Sequence, residues 1–517
     1  LVTMKHVGMN VAADPLFTLA YTGIKAGLVI VCADDPELHS SQNEQDNRNY
    51  GRAAKVPILE PADAEEARRF TKIAFELSEK FDIPVILRTT TRIAHTRTVI
   101  NIEEKKESPI KLGFERNVEK YLAVPKNSRA LHPILEKKII DIRKYNNTST
   151  LNFIYKSENK TKKNIGIITS GVIYNYVREI IDDIDILKLA MVHPVPDELI
   201  KEFAKGKDEL IIVEELDGFL EEEILKLRLN VKITGKSLIP NCGELNVDIL
   251  KDRLLNQKIS QIRLDMELPP RPPILCAGCP HRPAFVVLRD KKLIVTGDIG
   301  CYTLGGMPPL NSMDTCICMG AAVGVSIGMI KAIPEYEKKV VAVIGDSTFV
   351  HSGITGIIDA LYNKANITLI ILDNRITAMT GHQHHPGTGY TLSGKETVAV
   401  DYAKLVLGLG FDKDAVDTVN PLNMKKFTEI LDKHLALGKP SIIIAQAPCA
   451  LLDKKKKTIY FAIDNDKCKK CMNCVNTGCP AIQIIKDEIV INKELCFACA
   501  VCKQVCDCDA IAVRKKS

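Results

Sequence analysis

No stretch of this sequence stays apolar for the roughly 20 residues that a bilayer-spanning helix needs. The longest such run, CICMGAAVGVSIGMI (316–330), falls short and carries Gly320, Gly324 and Gly328 at four-residue spacing. On a helix these glycines would share one face and let a neighbouring backbone or a ligand come close; ordinary helix packing explains them as well as a cofactor contact does. No secretory leader is visible. An excess of one charge is also missing, since 70 Lys and Arg against 64 Asp and Glu leave +6. Nucleic-acid binding needs a basic stripe, and the one dense run, Lys454 to Lys457, reads as a solvated linker. Neither a membrane nor a nucleic acid is therefore an expected partner. Tryptophan is absent, yet 46% apolar and 26% charged residues are ordinary for a globular protein. The chain opens Leu1-Val2-Thr3, without methionine, and runs at once into what reads as a strand, so we expect its natural beginning upstream.

Cysteine is what the sequence has in excess. Of 17, nine fall between Cys468 and Cys508 in C-x-x-C spacings. Without a leader, that density points to a reducing, cytoplasmic compartment and to metal or cluster ligation rather than a disulfide scaffold. Residues 468–480 read CKKCMNCVNTGCP and residues 496–506 read CFACAVCKQVC. Bacterial ferredoxins carry C-x2-C-x2-C-x3-C-P, in which the fourth cysteine ligates the other cluster. The spacing assigns Cys468, Cys471, Cys474 and Cys506 to one [4Fe-4S] cluster, and Cys496, Cys499, Cys502 and Cys479 to a second. The first copy has one extra residue before Cys479, Asp507 replaces the usual proline, and Cys508 competes with Cys506. A zinc ribbon would use only two C-x-x-C pairs and leave most of these thiols idle.

At 517 residues the chain is too long for one core, and roughly 150 residues per domain predicts three to four. Ahead of the tail, buried strands alternate with amphipathic helices. GLVIVCADDP (27–36), the helix 62–81 and IPVILRTTTR (83–92) set the rhythm; NIGIITSG (164–171) and DELIIVEEL (208–216) repeat it. Such βαβ order predicts an α/β multidomain protein with parallel sheets. The polar stretch near SENKTKKN (157–164) reads as a linker, and the four prolines of LPPRPPIL (268–275) as a boundary.

In VVAVIGDSTFVHSGITGIIDALYNKANITLIILDN (340–374) one strand ends in Gly345-Asp346-Ser347 and the next in Asp373-Asn374. Parallel strands put both ends on the carboxyl edge, where open α/β sheets bind ligands. A carboxylate and an amide oxygen there suit Mg²⁺, and the helix start after Gly345 offers N–H groups to an anion. Many sheets end strands in Gly-Asp, so the pair alone leaves the matter open. The spacing to Asn374 resembles the thiamine diphosphate motif, which implies Asp346, Asn374 and the Ile376 carbonyl as Mg²⁺ ligands, with Gly345 and Ser347 beside the cofactor.

Three further stretches, TMKHVGMNVAADPLF (3–17), DDPELHSSQNEQDNR (34–48) and NRITAMTGHQHHPG (374–387), extend the likeness over nearly the whole chain. Together with the tail they resemble the alpha-subunit family of archaeal-type indolepyruvate ferredoxin oxidoreductases. The resemblance implies a truncated pyrimidine-type thiamine-binding domain and linker over 1–150, and a transketolase C-terminal-like domain over 160–265. It further implies a diphosphate-type thiamine-binding domain over 270–452 and a two-cluster ferredoxin-type domain over 458–517. It implies oxidative decarboxylation of aryl 2-oxo acids with coenzyme A, ferredoxin as acceptor, and a beta subunit completing a heterodimer or heterotetramer. The glutamate that contacts the thiamine aminopyrimidine would lie in a leading segment. His6, Asn10 and Gln383 are expected to line the pocket, although His6 could equally be a satisfied strand-end histidine. His384 departs from the proline expected in relatives. His382, His384 and His385 could bind zinc, or form a cofactor-side loop with His382 or Gln383 facing substrate. A sister 2-oxoacid oxidoreductase, or an electron-transfer subunit with a structural α/β portion, are the competing readings.

CAGCPHR (276–282) stands nearly two hundred residues before the tail. Some wider 2-oxoacid:ferredoxin oxidoreductases carry a cluster beside thiamine, and the resemblance places a third [4Fe-4S] on Cys276, Cys279, Cys301 and Cys449. Decarboxylation releases two electrons, whereas a cluster takes one at a time, so a near acceptor would shorten the route. The competing readings are a turn of inert thiols lining the pocket, and a zinc site using His281, which lacks an H-x3-5-H partner.

Overall fold

The computed structural model describes residues 1–100, 102, 115–159, 164–258, 266, 272–452 and 457–516. Parts of the linker at 157–164, of the proline boundary at 268–275 and of the basic run at 454–457 lie outside the described residues. The chain divides into two compact units, Leu1–Asp265 and Met266–Ser517.

The first unit holds two five-stranded sheets. Val2–Lys5, Val29–Asp34, Val85–Thr90 and Ile58–Leu59 run parallel, and Met191–His193 adds an antiparallel edge. That edge strand comes from the stretch expected in the next domain. One apolar core joins Val29 and Ile86 to Leu187 and Ile212, so the sheets on either side of residue 150 share a core, while Ile167, Ile186 and Val213 of the second sheet belong to a further one. The second sheet runs parallel through Ile165–Ser170, Asp185–Leu189, Glu209–Val213 and Lys232–Thr234, with Phe153–Tyr155 antiparallel at its edge.

Local signals account for the connecting helices. The Ala64–Phe81 helix starts at Asp63, whose carboxylate accepts the Glu66 N–H at 2.8 Å, while Glu66 accepts the Ala62 N–H. It buries Phe70, Ala74, Leu77 and Ser78, the i, i+4, i+7, i+8 stripe of one face. It ends at Asp82 in a left-handed conformation.

The second unit is built on a six-stranded, wholly parallel sheet. Its central strands, Val340–Gly345 and Thr368–Asp373, are buried throughout, as apolar strands covered by helices on both faces must be. Gly345 pairs with Leu372, so the chain leaves both strands at one edge, immediately before Asp346 and Asn374. The tail adds two antiparallel pairs, Ile459–Ile463 with Ile511–Lys515 and Ile482–Ile485 with Glu488–Ile491. Its apolar core is small: Phe461, Ile489 and Ile511 are packed among cysteines.

The glycine stripe behaves differently from the close-approach reading. Gly320 caps the Ala321–Ala332 helix at φ +85°, and a Cβ there would press on Ser352. Gly324 and Gly328 are exposed, and a Cβ at either would meet nothing within 4 Å. Within the chain they allow no close approach. Among the described residues, no helix is long and apolar enough to cross a membrane.

Candidate cofactor and cluster sites

The two central strands deliver Asp346 and Asn374 to a cavity also lined by Gly345, Ser347, Ile376 and Tyr302. Asp346 Oδ1 accepts the Ser347 N–H and Oδ2 the Arg375 N–H, each at 2.8 Å. Asn374 Oδ1 accepts only a longer bond, 3.2 Å, from the Ile376 N–H. The helix after Gly345 opens with one turn, Asp346–Thr348, and then widens into a π-turn at Phe349–Gly353, an irregularity frequent at functional sites. A carboxylate, an amide oxygen and nearby backbone carbonyls form a hard oxygen donor set that fits Mg²⁺ and a diphosphate.

Around this centre the structure gathers groups that the motif does not name. Burial pushes the Asp373 carboxyl up to about 6, against the pull of the amide that Gln446 donates at 2.7 Å. Burial also pushes Asp298 up to about 6; it accepts from the Tyr302 hydroxyl and, at 2.6 Å, from the Gly320 N–H. Gly297-Asp298 repeats the strand-end Gly-Asp of Gly345-Asp346, a signal that could have found it. His281 is buried, its pKa lowered to about 4 by desolvation, and it stays neutral. Its Nε2 accepts from the Asn374 amide at 3.2 Å, so this ring supports an oxygen donor and is not placed as a zinc ligand of the C-x-x-C turn.

The three loop histidines do not converge. His385 is buried, with Nε2 3.2 Å from Asp346 Oδ2, although not aligned for a hydrogen bond; its Nδ1 accepts the Gly387 N–H. His384 packs on Tyr390 with ring centroids 5.0 Å apart, and His382 is exposed. Among the described residues they form no metal-binding group. Gln383 is also exposed and turns back on Thr380, which it both donates to and accepts from. It is not among the residues lining the cavity, which takes Thr377 and Thr380 from that loop instead.

His6 and Asn10 belong to the first unit. His6 is fully buried at the start of a helix with neither ring nitrogen hydrogen-bonded, and burial lowers its pKa. Asn10 is exposed and accepts from the Tyr50 hydroxyl at 2.8 Å.

The tail cysteines gather into two groups, each around its own cavity. Cys468, Cys471, Cys474 and Cys506 line one, with Cys508 beside them and its Sγ 3.7 Å from that of Cys506. Cys479, Cys496, Cys499 and Cys502 line the other. Burial raises the Cys474 thiol to about 11, and the neighbours adding to that rise are Cys468, Cys506 and Cys471. Cys499 is raised the same way, by burial and then by Cys479 and Cys496. Two cavities of soft sulfur donors, each crossing the two sequence repeats, fit iron–sulfur clusters.

The structure also brings Cys276, Cys279, Cys301 and Cys449 together, with every pair but Cys279–Cys449 in electrostatic range. Burial raises Cys279 to about 12 and Cys301 to about 11, with Cys276 contributing to both and Cys449 to Cys301. Cys301 lines the Asp346–Asn374 cavity, and the Cys449 N–H donates to the Asn374 carbonyl at 3.0 Å. This group therefore borders the Asp346–Asn374 edge.

Comparison with known proteins adds to this geometry. Residues 298–445 match the family described as thiamine pyrophosphate enzyme, C-terminal TPP binding domain. The indolepyruvate oxidoreductase subunit IorA of Archaeoglobus fulgidus is 40% identical over 547 residues, spanning 100% of this chain and 86% of that protein. The protein of the same name from Thermococcus kodakarensis is 38% identical, again over 100% of this chain and 86% of its own length. A ferredoxin of Methanothermococcus thermolithotrophicus is 47% identical over 58 residues, 10% of this chain and 95% of the ferredoxin. Likeness at this level along the whole chain means that the protein belongs to the indolepyruvate oxidoreductase subunit IorA family.

Proposed function

We propose that this chain is the thiamine-binding, cluster-carrying subunit of an enzyme that oxidatively decarboxylates aryl 2-oxo acids such as indole-3-pyruvate. Coenzyme A would take the acyl group, giving aryl-acetyl-CoA and CO₂, and ferredoxin would take the electrons. One observation carries the reading: the Asp346–Asn374 cavity and the cysteine quartets occupy a single compact unit. The relatives' name, oxidoreductase subunit, supports a partner subunit, for which we propose a beta chain.

In this reading Asp346, Asn374 and the Ile376 carbonyl would hold Mg²⁺ beside the cofactor's diphosphate. When bound, thiamine diphosphate supplies the carbon nucleophile that attacks the ketone and accepts the electron pair left by CO₂. The chain's own residues prepare the site. Backbone N–H groups of Ser347 and Arg375 hold the Asp346 carboxylate in one orientation. Neutral His281 holds the Asn374 amide group, which turns its oxygen away from the ring. The two tail quartets and, in our proposal, a third quartet of Cys276, Cys279, Cys301 and Cys449 would hold clusters that accept electrons one at a time.

Asp346→Ala in the full chain with its partner subunit tests this. We expect ferredoxin or dye reduction by indole-3-pyruvate to fall on the order of 100-fold or more, with iron content unchanged. Spared activity would favour an electron-transfer subunit whose α/β part is structural. Equal rates on aryl and aliphatic oxo acids would instead favour a sister enzyme of other specificity.

A further inference from the structure

Arg282, the last residue of CAGCPHR, is 2% exposed. Its guanidinium donates to three carbonyl oxygens: Nη1 to Thr477 at 2.7 Å, and Nη2 to Leu275 at 2.5 Å and Cys276 at 3.0 Å. Its Nε has no partner. Among the described residues, no carboxylate pairs with it. The protein's other deeply buried arginines are different. Arg48 pairs with Asp46 and Glu214, and Arg88 with Asp34 and Glu60.

A guanidinium stays protonated, and carbonyl dipoles alone do not offset the cost of removing its charge from water. The missing counter-charge is to be sought in what the group faces. Arg282 lines the same small cavity as Cys479, Cys496, Cys499 and Cys502. Its charge favours the thiolate of Cys499 in that quartet and of Cys279 in the C-x-x-C turn. A cubane held by four thiolates is net negative and gains one more negative charge on reduction, and local charge is among the factors that set its potential.

We infer that Arg282 is the internal counter-ion of the second tail cluster, a positioning residue that raises that cluster's potential and ties it to the Cys276–Cys279 turn. This rests on the cluster reading above. Reduction places an extra negative charge next to a fixed positive one, which favours the reduced state. The same fork holds the Leu275 and Cys276 carbonyls and the Thr477 carbonyl together, so the turn and the tail keep one spacing.

Redox titration followed by electron paramagnetic resonance, on the full chain purified without oxygen, tests the assignment. The signal missing from Cys499→Ala identifies the cluster. Arg282→Met removes the charge and keeps an unbranched stem; Arg282→Lys keeps the charge without the fork. We expect Arg282→Met to lower the reduced-to-oxidised ratio of that cluster at fixed potential at least tenfold, about 59 mV for one electron. Arg282→Lys should stay close to the unsubstituted protein. Loss of this cluster from Arg282→Met with retention in Arg282→Lys would equally support the counter-ion. Unshifted potential in Arg282→Met, or the same drop or loss in both variants, would overturn it. Unsubstituted protein without two reducible tail clusters would sink the cluster reading itself, and the counter-ion with it.

Discussion

At the scale of single residues, burial decides protonation. His193 is 6% exposed, its Nδ1 has no hydrogen-bond partner, and desolvation lowers its pKa to about 4 against an attraction from Glu223. Its folded pKa lies below the unfolded value near 6.5, so the neutral ring is the folded form. The stability that this provides is complete above pH 6.5. It falls by about 1.4 kcal/mol per pH unit on acidification, until about 3 kcal/mol is gone near pH 4. Glu215, raised to about 7 by burial, acts in the opposite sense over 4.5 to 7, so the comparison with a variant is what isolates the histidine. We expect His193→Gln to flatten the pH dependence of the urea midpoint between 6.5 and 4. An unchanged slope would show that the ring is not buried neutral. Of the two histidines with a pKa near 4, His193 sits among apolar neighbours, Met191-Val192 and Pro194-Val195, which could have marked it as buried, whereas His281 lies beside the charged Arg282, which pointed the other way. Asp346 and Asn374 could be read, since apolar strands of fixed length put them at their ends.

At the scale of elements, the tail is held to the thiamine-type sheet domain by short contacts. Gly278 adopts φ +72°, and a Cβ there would collide with Cβ of Phe497, a residue of the second cysteine repeat. Gly438 has a similar φ of +67° with nothing within 4 Å. Both substitutions to valine incur the left-handed strain of about 1–2 kcal/mol, but only Gly278→Val also displaces the Phe497 segment. We expect Gly278→Val to lose iron and to speed hydrogen exchange in residues 496–502, while Gly438→Val keeps full iron. Equal iron in the two would show that the contact does not hold the tail in place. C-x-x-C spacing made the Cys276–Cys279 turn visible, but nothing within CAGCPHR says that its glycine receives a phenylalanine more than two hundred residues later.

At the scale of the molecule, the number of clusters is the open quantity. The tail quartets predict about eight irons per chain, and a third cluster about twelve. Replacing Cys276, Cys279, Cys301 and Cys449 together by serine should therefore remove about a third of the iron and leave the tail signals in place. Iron unchanged by that substitution would return the turn to inert thiols. Intact protein is the right material, because Arg282 and Gly278 join the turn to the tail, and deleting the tail would expose both.

The sequence alone was enough for the parallel α/β order, the Asp346–Asn374 edge and the pairing of eight tail cysteines into two sets. These depend on short covalent spacings and on strand periodicity, which act over a few residues. The tertiary structure decided that the chain divides into two compact units, that Gly324 and Gly328 face solvent, that Gln383 turns from the cavity, and that Arg282 is buried with no carboxylate partner among the described residues. Each of those depends on which distant surfaces pack together, and no local spacing carries that information.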